Sequence, residues 1–319
     1  MREFTSFLAP FMQAFVSYKK ASGRWNETSY GVIIRLFDKY CKERYPISTE
    51  LSQEMVDSWC ARHSTETKNS CRSRIYPIVS FIRFLRKRGL TGVTEPAIPQ
   101  VEPRAYIPHS FTKVELANFF AACDAIPAAP TTKGRLTRRI TVPVFFRLLY
   151  SSGIRTNEAR MLKREDVDLD SGVLNIRYSK GHTQHYVALH DSMLSLMRQY
   201  DGAISRLYPS REYFFPAKNG SFHKAAWVRD NFNAMWRQCN SGHAVPYELR
   251  HNYAVENINC WTDAGFDFNA RLLYLSKSMG HSVVESTKYY YSLVPGLAEI
   301  LAAQTDEGAV IPEVDYEGH

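Results

Sequence analysis

Residues 148–170 read LLYSSGIRTNEARMLKREDVDLD. Ser151-Ser152-Gly153 is a loop signal, and Arg155 stands where that loop turns into a helix containing Glu158, Ala159 and Leu162. A helix start presents backbone amides to an anion, and the planar fork of arginine holds two oxygens at once. Just downstream, Asp170-Ser171-Gly172 supplies a turn. Two alternating runs, Val173 to Arg177 and His185 to Leu189, then predict short strands flanking Lys180-Gly181. The expected fold class is therefore mainly α with a small antiparallel β-sheet.

Three more segments follow in the same half of the chain. They are Tyr-Glu-Leu-Arg-His ending in Arg250 and His251, Met-Gly-His-Ser around His281, and Tyr289-Tyr290-Tyr291. Pro246 marks the start of the helix bearing Arg250, and His281 follows Gly280 in a turn ahead of a final helical run. Singly, each has a bland reading, since most arginines are surface residues and most histidines neither ligate nor catalyse. Together, two arginines, a lysine, a histidine and a tyrosine suit attack on a phosphodiester, whose non-bridging oxygens gain charge that several fixed donors must stabilise.

The whole chain has 319 residues, 45% of them hydrophobic, which leads us to expect two domains with ordinary cores. A net charge of +8 and a pI near 9.1 favour a polyanionic partner, although such an excess can also serve solubility alone. Six scattered cysteines, without a C-x-x-C pair or a signal-like start, point to a reducing cytoplasm. No apolar run approaches the roughly 18 residues of a membrane helix. The histidines and cysteines lack metal-ligand spacing, and no Gly-rich phosphate loop ending in G-K-[ST] is present.

The first hundred residues carry helical periodicity over Phe4 to Lys20, Thr28 to Arg44, Ser52 to His63 and Thr67 to Arg88, with Asn26, Ser48 and Ser64 as caps or loop starts. In the fourth helix, Lys68, Arg72, Arg74, Arg83, Arg86, Lys87 and Arg88 accompany a core stripe of Ile75, Ile78, Val79, Ile82 and Leu85. Charged helix faces are usually just solvated; the near absence of balancing acids makes this one a candidate DNA-backbone contact. Four prolines between Val93 and Pro108 predict an extended linker, residues 93–109, between an N-terminal domain of residues 1–92 and a second domain of residues 110–304. Ser110 or Thr112, with Glu115, caps the helix that opens the second domain. Residues 305–319 form an acidic, frayed tail.

On these segments the chain, from about residue 5 to residue 300, resembles the tyrosine recombinase or phage integrase family. Leu148 to Asp170 resembles the family's first box, placing its first catalytic arginine at Arg155 and the supporting acid at Glu158. SKGHTQHYVAL resembles the β-hairpin with its mobile lysine, Lys180; YELRHNYA resembles the second box, with Arg250. MGHSVVESTKYYY resembles the last box, where the nucleophile follows the histidine by nine residues, which from His281 gives Tyr290. The resemblance implies a helical core-binding domain joined to a mixed α/β catalytic domain. It also implies cleavage and rejoining of DNA through a 3′-phosphotyrosyl intermediate, with no cofactor or metal. Arg155, Arg250 and His281 would stabilise the transition state, and Lys180 would protonate the departing 5′-oxygen.

The chain departs from the pattern in two places. Tyr247 stands where the family most often has histidine; it can donate to a phosphate oxygen, but a phenol with a pKa near 10 is a poor general base, so it receives a contact role and the base stays unassigned. His251 should pack behind the site, because neighbouring side chains on a helix point roughly 100° apart. The interval Asn259 to Lys277 is longer than usual, with Thr262 to Gly265 read as an inserted loop.

Implied partners are a double-stranded recombination site and further copies of the chain, a dimer on one site and a tetramer in the synapse, with accessory DNA-bending proteins as an option and no membrane. The segment 295–304 has the spacing of a helix that could dock on a neighbouring protomer. The chain looks too short for an additional arm-binding domain, and a mobile genetic element in a cytoplasmic, nucleoid-associated setting is the expected context. A type IB topoisomerase-like enzyme and a non-catalytic DNA-binding relative are the alternatives.

Overall fold

The computed structural model describes residues 4–102, 108–127, 132–177, 184–260, 268–281 and 285–288. The chain divides into two compact units, Met1–Tyr106 and Ile107–His319.

The first unit is helical: α1 (Ala9–Ala21), a π-helical turn (Glu27–Gly31) running into α2 (Val32–Arg44), α3 (Gln53–Cys60) and α4 (Lys68–Arg86). Phe15, Phe37, Ile78, Phe81 and Ile82 are fully buried at its centre. The helix expected from Phe4 begins only at Ala9, because buried Asp38 on α2 accepts the backbone N–H groups of Thr5 (2.8 Å) and Ser6 (2.9 Å) and holds that segment out of the helix. Asn26 caps as expected, accepting from Thr28 and Ser29. Ser52 and Thr67 cap α3 and α4, since only the residue directly before a helix can reach its first free amides, while Ser48 and Ser64 lie in the loops ahead of them. Pro77 lies inside α4.

The described part of the proline-rich stretch is bound to this unit. Val93 is 6% exposed and Ile98 packs on the same core, while Arg72 donates to the Pro99 carbonyl (2.8 Å) and Asn69 to that of Glu102 (2.7 Å). Prolines keep the segment extended, yet its apolar residues still find the core, so the compact unit runs past residue 92, to Tyr106.

In the second unit α5 (Lys113–Asp124) starts with the Thr112–Glu115 capping box. The 20-residue α6 (Lys133–Ser152) is its central helix, with α5, α8 (Asp191–Leu207) and α10 (Glu248–Asn259) packed on it. Between α6 and α8 come the short α7 (Thr156–Arg160), a 3₁₀ turn (Arg164–Asp166) and an antiparallel sheet in the order β1 (Val167–Asp168), β2 (Val173–Ile176), β3 (His185–Ala188). β1 lacks any alternation of its own and pairs only because Asp168 Oδ1 accepts the N–H groups of Asp170 and Ser171 and turns the chain at Gly172, where φ is +72°.

α9 (Ala225–Cys239) packs on α5, and α11 (Phe268–Ser278) and α12 (Glu285–Lys288) complete the described chain. Phe119, Phe145, Phe146, Phe214, Phe215 and Phe232 are all fully buried. Within the interval Asn259 to Lys277, residues 268–277 belong to α11, and Thr262 to Gly265, read as an inserted loop, lie outside the described residues. Among the described residues no helix is long and apolar enough to cross a membrane.

Candidate active site

Two helix C-termini build the site. α6 ends at Gly153, whose φ of +63° no residue with a side chain adopts cheaply; a Cβ there would also lie 2.2 Å from the Tyr253 ring. α11 ends in a similar left-handed corner at Gly280 (φ +64°), where the N–H groups of Gly280 and His281 return to the carbonyls of Lys277 and Ser276. Carbonyls at a helix C-terminus have no partner within the helix and carry the negative end of its dipole. Here two arginines satisfy them.

Arg250, in the first turn of α10, is 1% exposed. Its Nη1 donates to the Gly153 carbonyl (2.5 Å), and its Nη2 donates to the Met279 carbonyl (2.7 Å) and to His281 Nε2 (2.9 Å). Arg155, at the N-cap of α7, donates through Nη2 to the Gly280 carbonyl (2.9 Å) and through Nη1 to Glu158 (2.6 Å). Glu158 is 3% exposed, and its second oxygen accepts the backbone N–H of Arg155 (2.7 Å). One carboxylate thus fixes both the main chain and the guanidinium of the residue three before it. Charge-assisted bonds of this kind contribute roughly 1.5–3 kcal/mol each, and breaking a buried pair costs more than the pair contributes.

His281 is held between Arg250 and the fully buried Thr287, whose hydroxyl lies 2.7 Å from Nδ1. Arginine can only donate, so Nε2 is the acceptor and Nδ1 carries the proton toward Thr287. Burial, then Arg250 and Arg155, push the imidazole down to about 4, which leaves it neutral at neutral pH. Two guanidiniums against the single carboxylate of Glu158 leave this cluster with a positive excess that a phosphodiester anion can neutralise.

Sequence reading named Arg155, Glu158, Arg250 and His281, and the structure brings these four together. Tyr247 stands apart. It is 41% exposed before α10, its ring edge rests on His251 one turn later (5.1 Å), and it lines a cavity of about 170 Å³ with Thr156, Asn157, Arg160 and Arg229. His251 is half-buried beside it, pushed down to about 4 by burial and Arg250. Lys180 and Tyr290 lie outside the described residues, as does segment 295–304. Thr287, Tyr253 and His185 were missed. Tyr253 packs on Gly153 and hydrogen-bonds Ser278, bridging the ends of α6 and α11. Only the two glycines, each following a helical run, hinted at these contacts.

The cationic face of α4 is less bare than its sequence suggests. Lys68 pairs with Glu102 (2.7 Å), Arg83 with Glu95 (2.6 Å) and Arg74 with Glu66 (2.7 Å), while Arg72 is turned to the Pro99 carbonyl. The balancing acids come from the flanking segments, which a reading of the helix alone does not weigh. Arg88 lies over the Phe84 ring at 3.8 Å, and Arg86 and Lys87 are exposed.

The sequence profile of the phage integrase family matches residues 111–295, more than half of the chain. A Sinorhizobium fredii protein described as an integrase/recombinase is 25% identical over 312 residues, covering 95% of this chain and 96% of its own. Tyrosine recombinase XerA of Thermococcus kodakarensis is 24% identical over 281 residues, 88% of this chain and 89% of its own. The fold is similar to that of XerH site-specific recombinase in a pre-cleavage complex with its difH substrate, with a TM-score of 0.61 and 17% identity over 87% of this chain and 79% of that one. It is also similar to a lambda integrase dimer bound to a core site, with a TM-score of 0.59 and 13% identity over 88% and 94% of the two chains.

Proposed function

Because the chain belongs to the phage integrase family of tyrosine recombinases, we propose that it is a site-specific recombinase that cuts and rejoins double-stranded DNA, integrating, excising or resolving a DNA element. The observation that carries this reading is the convergence of Arg155, Arg250 and His281 on one corner, residues 279–281, with both guanidiniums already oriented by backbone carbonyls. Groups fixed before the substrate arrives stabilise developing charge without reorganising during the reaction.

In this reading the Tyr290 phenol releases its proton to solvent water and its oxygen bonds to the scissile phosphorus as the bond to the 5′-oxygen breaks. The products are a 3′-phosphotyrosyl enzyme and a free 5′-hydroxyl. Arg155 and Arg250 bear on the non-bridging oxygens, His281 holds the Arg250 guanidinium in place, and Lys180 gives its proton to the departing 5′-oxygen. One phosphodiester is exchanged for another, so a second 5′-hydroxyl rejoins the strand without nucleotide hydrolysis. The His281–Thr287 bond ties α12 to the corner just ahead of Tyr289-Tyr290-Tyr291, among which the nine-residue interval from His281 favours Tyr290. Tyr247 takes a contact to the DNA backbone, and the first unit adds Arg86, Lys87 and Arg88 through α4, with its paired neighbours Lys68, Arg72, Arg74 and Arg83 within reach of phosphates. Two copies would occupy one site, as in the lambda integrase dimer on its core site, and four would form the synapse.

The test is covalent capture. Nicked duplexes spanning the ends of the encoding element are mixed with the protein and with Tyr290→Phe, then resolved on a denaturing gel. The wild type is expected to give a slow-migrating adduct, and the variant none while still binding. An adduct retained by the variant would move the nucleophile to Tyr289 or Tyr291; binding without any adduct from the wild type would leave a DNA-binding relative without cleavage.

A further inference from the structure

We propose that Thr287 is a positioning residue for Arg250, acting through His281. Arg250 Nη2 stands 2.9 Å from His281 Nε2, and the Thr287 hydroxyl lies 2.7 Å from Nδ1. A guanidinium has no lone pair to offer, so Nε2 must accept there, whereas a hydroxyl can either donate or accept. The ring is neutral at neutral pH and carries one proton, and these bonds decide which nitrogen holds it. Thr287 thus takes the proton that Arg250 excludes from Nε2. With Nδ1 occupied, the lone pair of Nε2 is kept for the guanidinium, beside the Gly153 and Met279 carbonyls.

The surroundings leave this task to one hydroxyl. Thr287 is fully buried on α12, which packs on α11, while the neighbouring Ser286 is exposed. Bulk water does not reach Thr287 to replace it, so loss of its hydroxyl leaves the Nδ1 proton buried without that acceptor, a larger penalty than the net worth of the bond. The ring then turns out of its position and takes the Nε2 acceptor away from Arg250. The carbonyls at residues 153 and 279 stay where they are, and Arg155 is held separately, by Glu158 and the Gly280 carbonyl. A change at residue 287 therefore loosens one guanidinium of the pair and spares the other.

This inference rests on the recombinase reading for its effect on cleavage, and two readouts keep the two separable. The first is proton–nitrogen NMR of the full chain with isotope-labelled histidine, the His281 signal being assigned by its loss in His281→Gln. Wild type should show the proton on Nδ1, protected from exchange with water. Thr287→Val, which keeps the shape and loses the hydroxyl, should lose that protection. Thr287→Ser, which keeps the hydroxyl and loses the methyl group, should retain it. The second readout is single-turnover cleavage of nicked duplexes. Thr287→Val should cleave roughly 10- to 100-fold more slowly, the range for removing a partner that orients a functional histidine, while still binding the duplex. Thr287→Ser should stay within a few-fold of wild type.

A wild-type proton on Nε2, or a protected Nδ1 proton in Thr287→Val, would overturn the proposal. So would equal slowing of Thr287→Ser and Thr287→Val, which would make packing of the methyl group the cause. Absence of cleavage by the wild type would sink the recombinase reading, while the proton readout would still decide whether Thr287 holds His281 for Arg250.

Discussion

Gly153→Ala is the sharpest perturbation of the site, because the glycine both ends α6 and offers the carbonyl that takes Arg250. Its φ of +63° alone costs a residue with a Cβ about 1–2 kcal/mol. The new Cβ would sit 2.2 Å from Tyr253 Cδ1, well inside ordinary contact, so the ring or the helix end must shift by about 1 Å or more. Overpacking of this kind adds roughly 1–3 kcal/mol, for a total of about 2–5 kcal/mol. Gly220→Ala is the internal control: its φ is +80°, but a Cβ there meets nothing within 4 Å, so it carries the backbone cost alone.

Hydrogen–deuterium exchange of the α6 and α10 amides reads the opening free energy of this unit without assuming that the whole chain unfolds in one step. We expect Gly153→Ala to lose about 1–3 kcal/mol more than Gly220→Ala, and to lose cleavage as the carbonyl under Arg250 moves. Equal losses for the two variants would mean that the Tyr253 ring yields freely and does not gauge the end of α6. The reasoning for a fixed corner would then fail.

Two further outcomes follow from charge. Replacing both Arg86 and Lys87 by alanine should weaken duplex binding uniformly across sequences and lower the slope of log K against log salt by about 2, near 0.9 for each phosphate no longer neutralised; an unchanged slope in a filter-binding titration would remove them from the interface. His223, 6% exposed and stacked on Trp227 at 3.8 Å, is pushed down to about 4 by burial. Its folded pKa lies below the unfolded value of about 6.5, so the unfolded chain binds the extra proton and stability falls as pH drops from about 6.5 toward 4. His223→Gln should reduce that slope by about 1.4 kcal/mol per pH unit in denaturant titrations between pH 6.5 and 4.5; an unaltered slope would show the imidazole already protonated in the folded protein.

Local chemistry was the readable part of this sequence. Asn26 as a cap, the Thr112–Glu115 capping box, the hairpin flanked by Val173 and Leu189, and Arg155 at a helix start are all set by residues within a few positions of one another. What could not be read depends on distance along the chain. The acids that neutralise α4 lie before and after the helix, at Glu66, Glu95 and Glu102. Tyr253 meets Gly153, and His185 meets Gly280, only because α6, α10, β3 and α11 meet in space. The same holds for Arg250. Its guanidinium is buried against two backbone carbonyls and an imidazole, neighbours that no local pattern encodes.

That the acceptors at residues 153, 279 and 280 are main-chain atoms bears on how this site can drift under mutation. Every residue has a carbonyl, so side-chain replacement cannot delete these anchors; only a change in the path of the backbone can. The backbone half of the anchoring of both arginines is thereby insulated from the surrounding sequence, while Glu158 and His281 supply the side-chain half. On the main-chain side the vulnerability is concentrated in two glycines, Gly153 and Gly280, and a search for variants with altered strand cleavage would profit from including them.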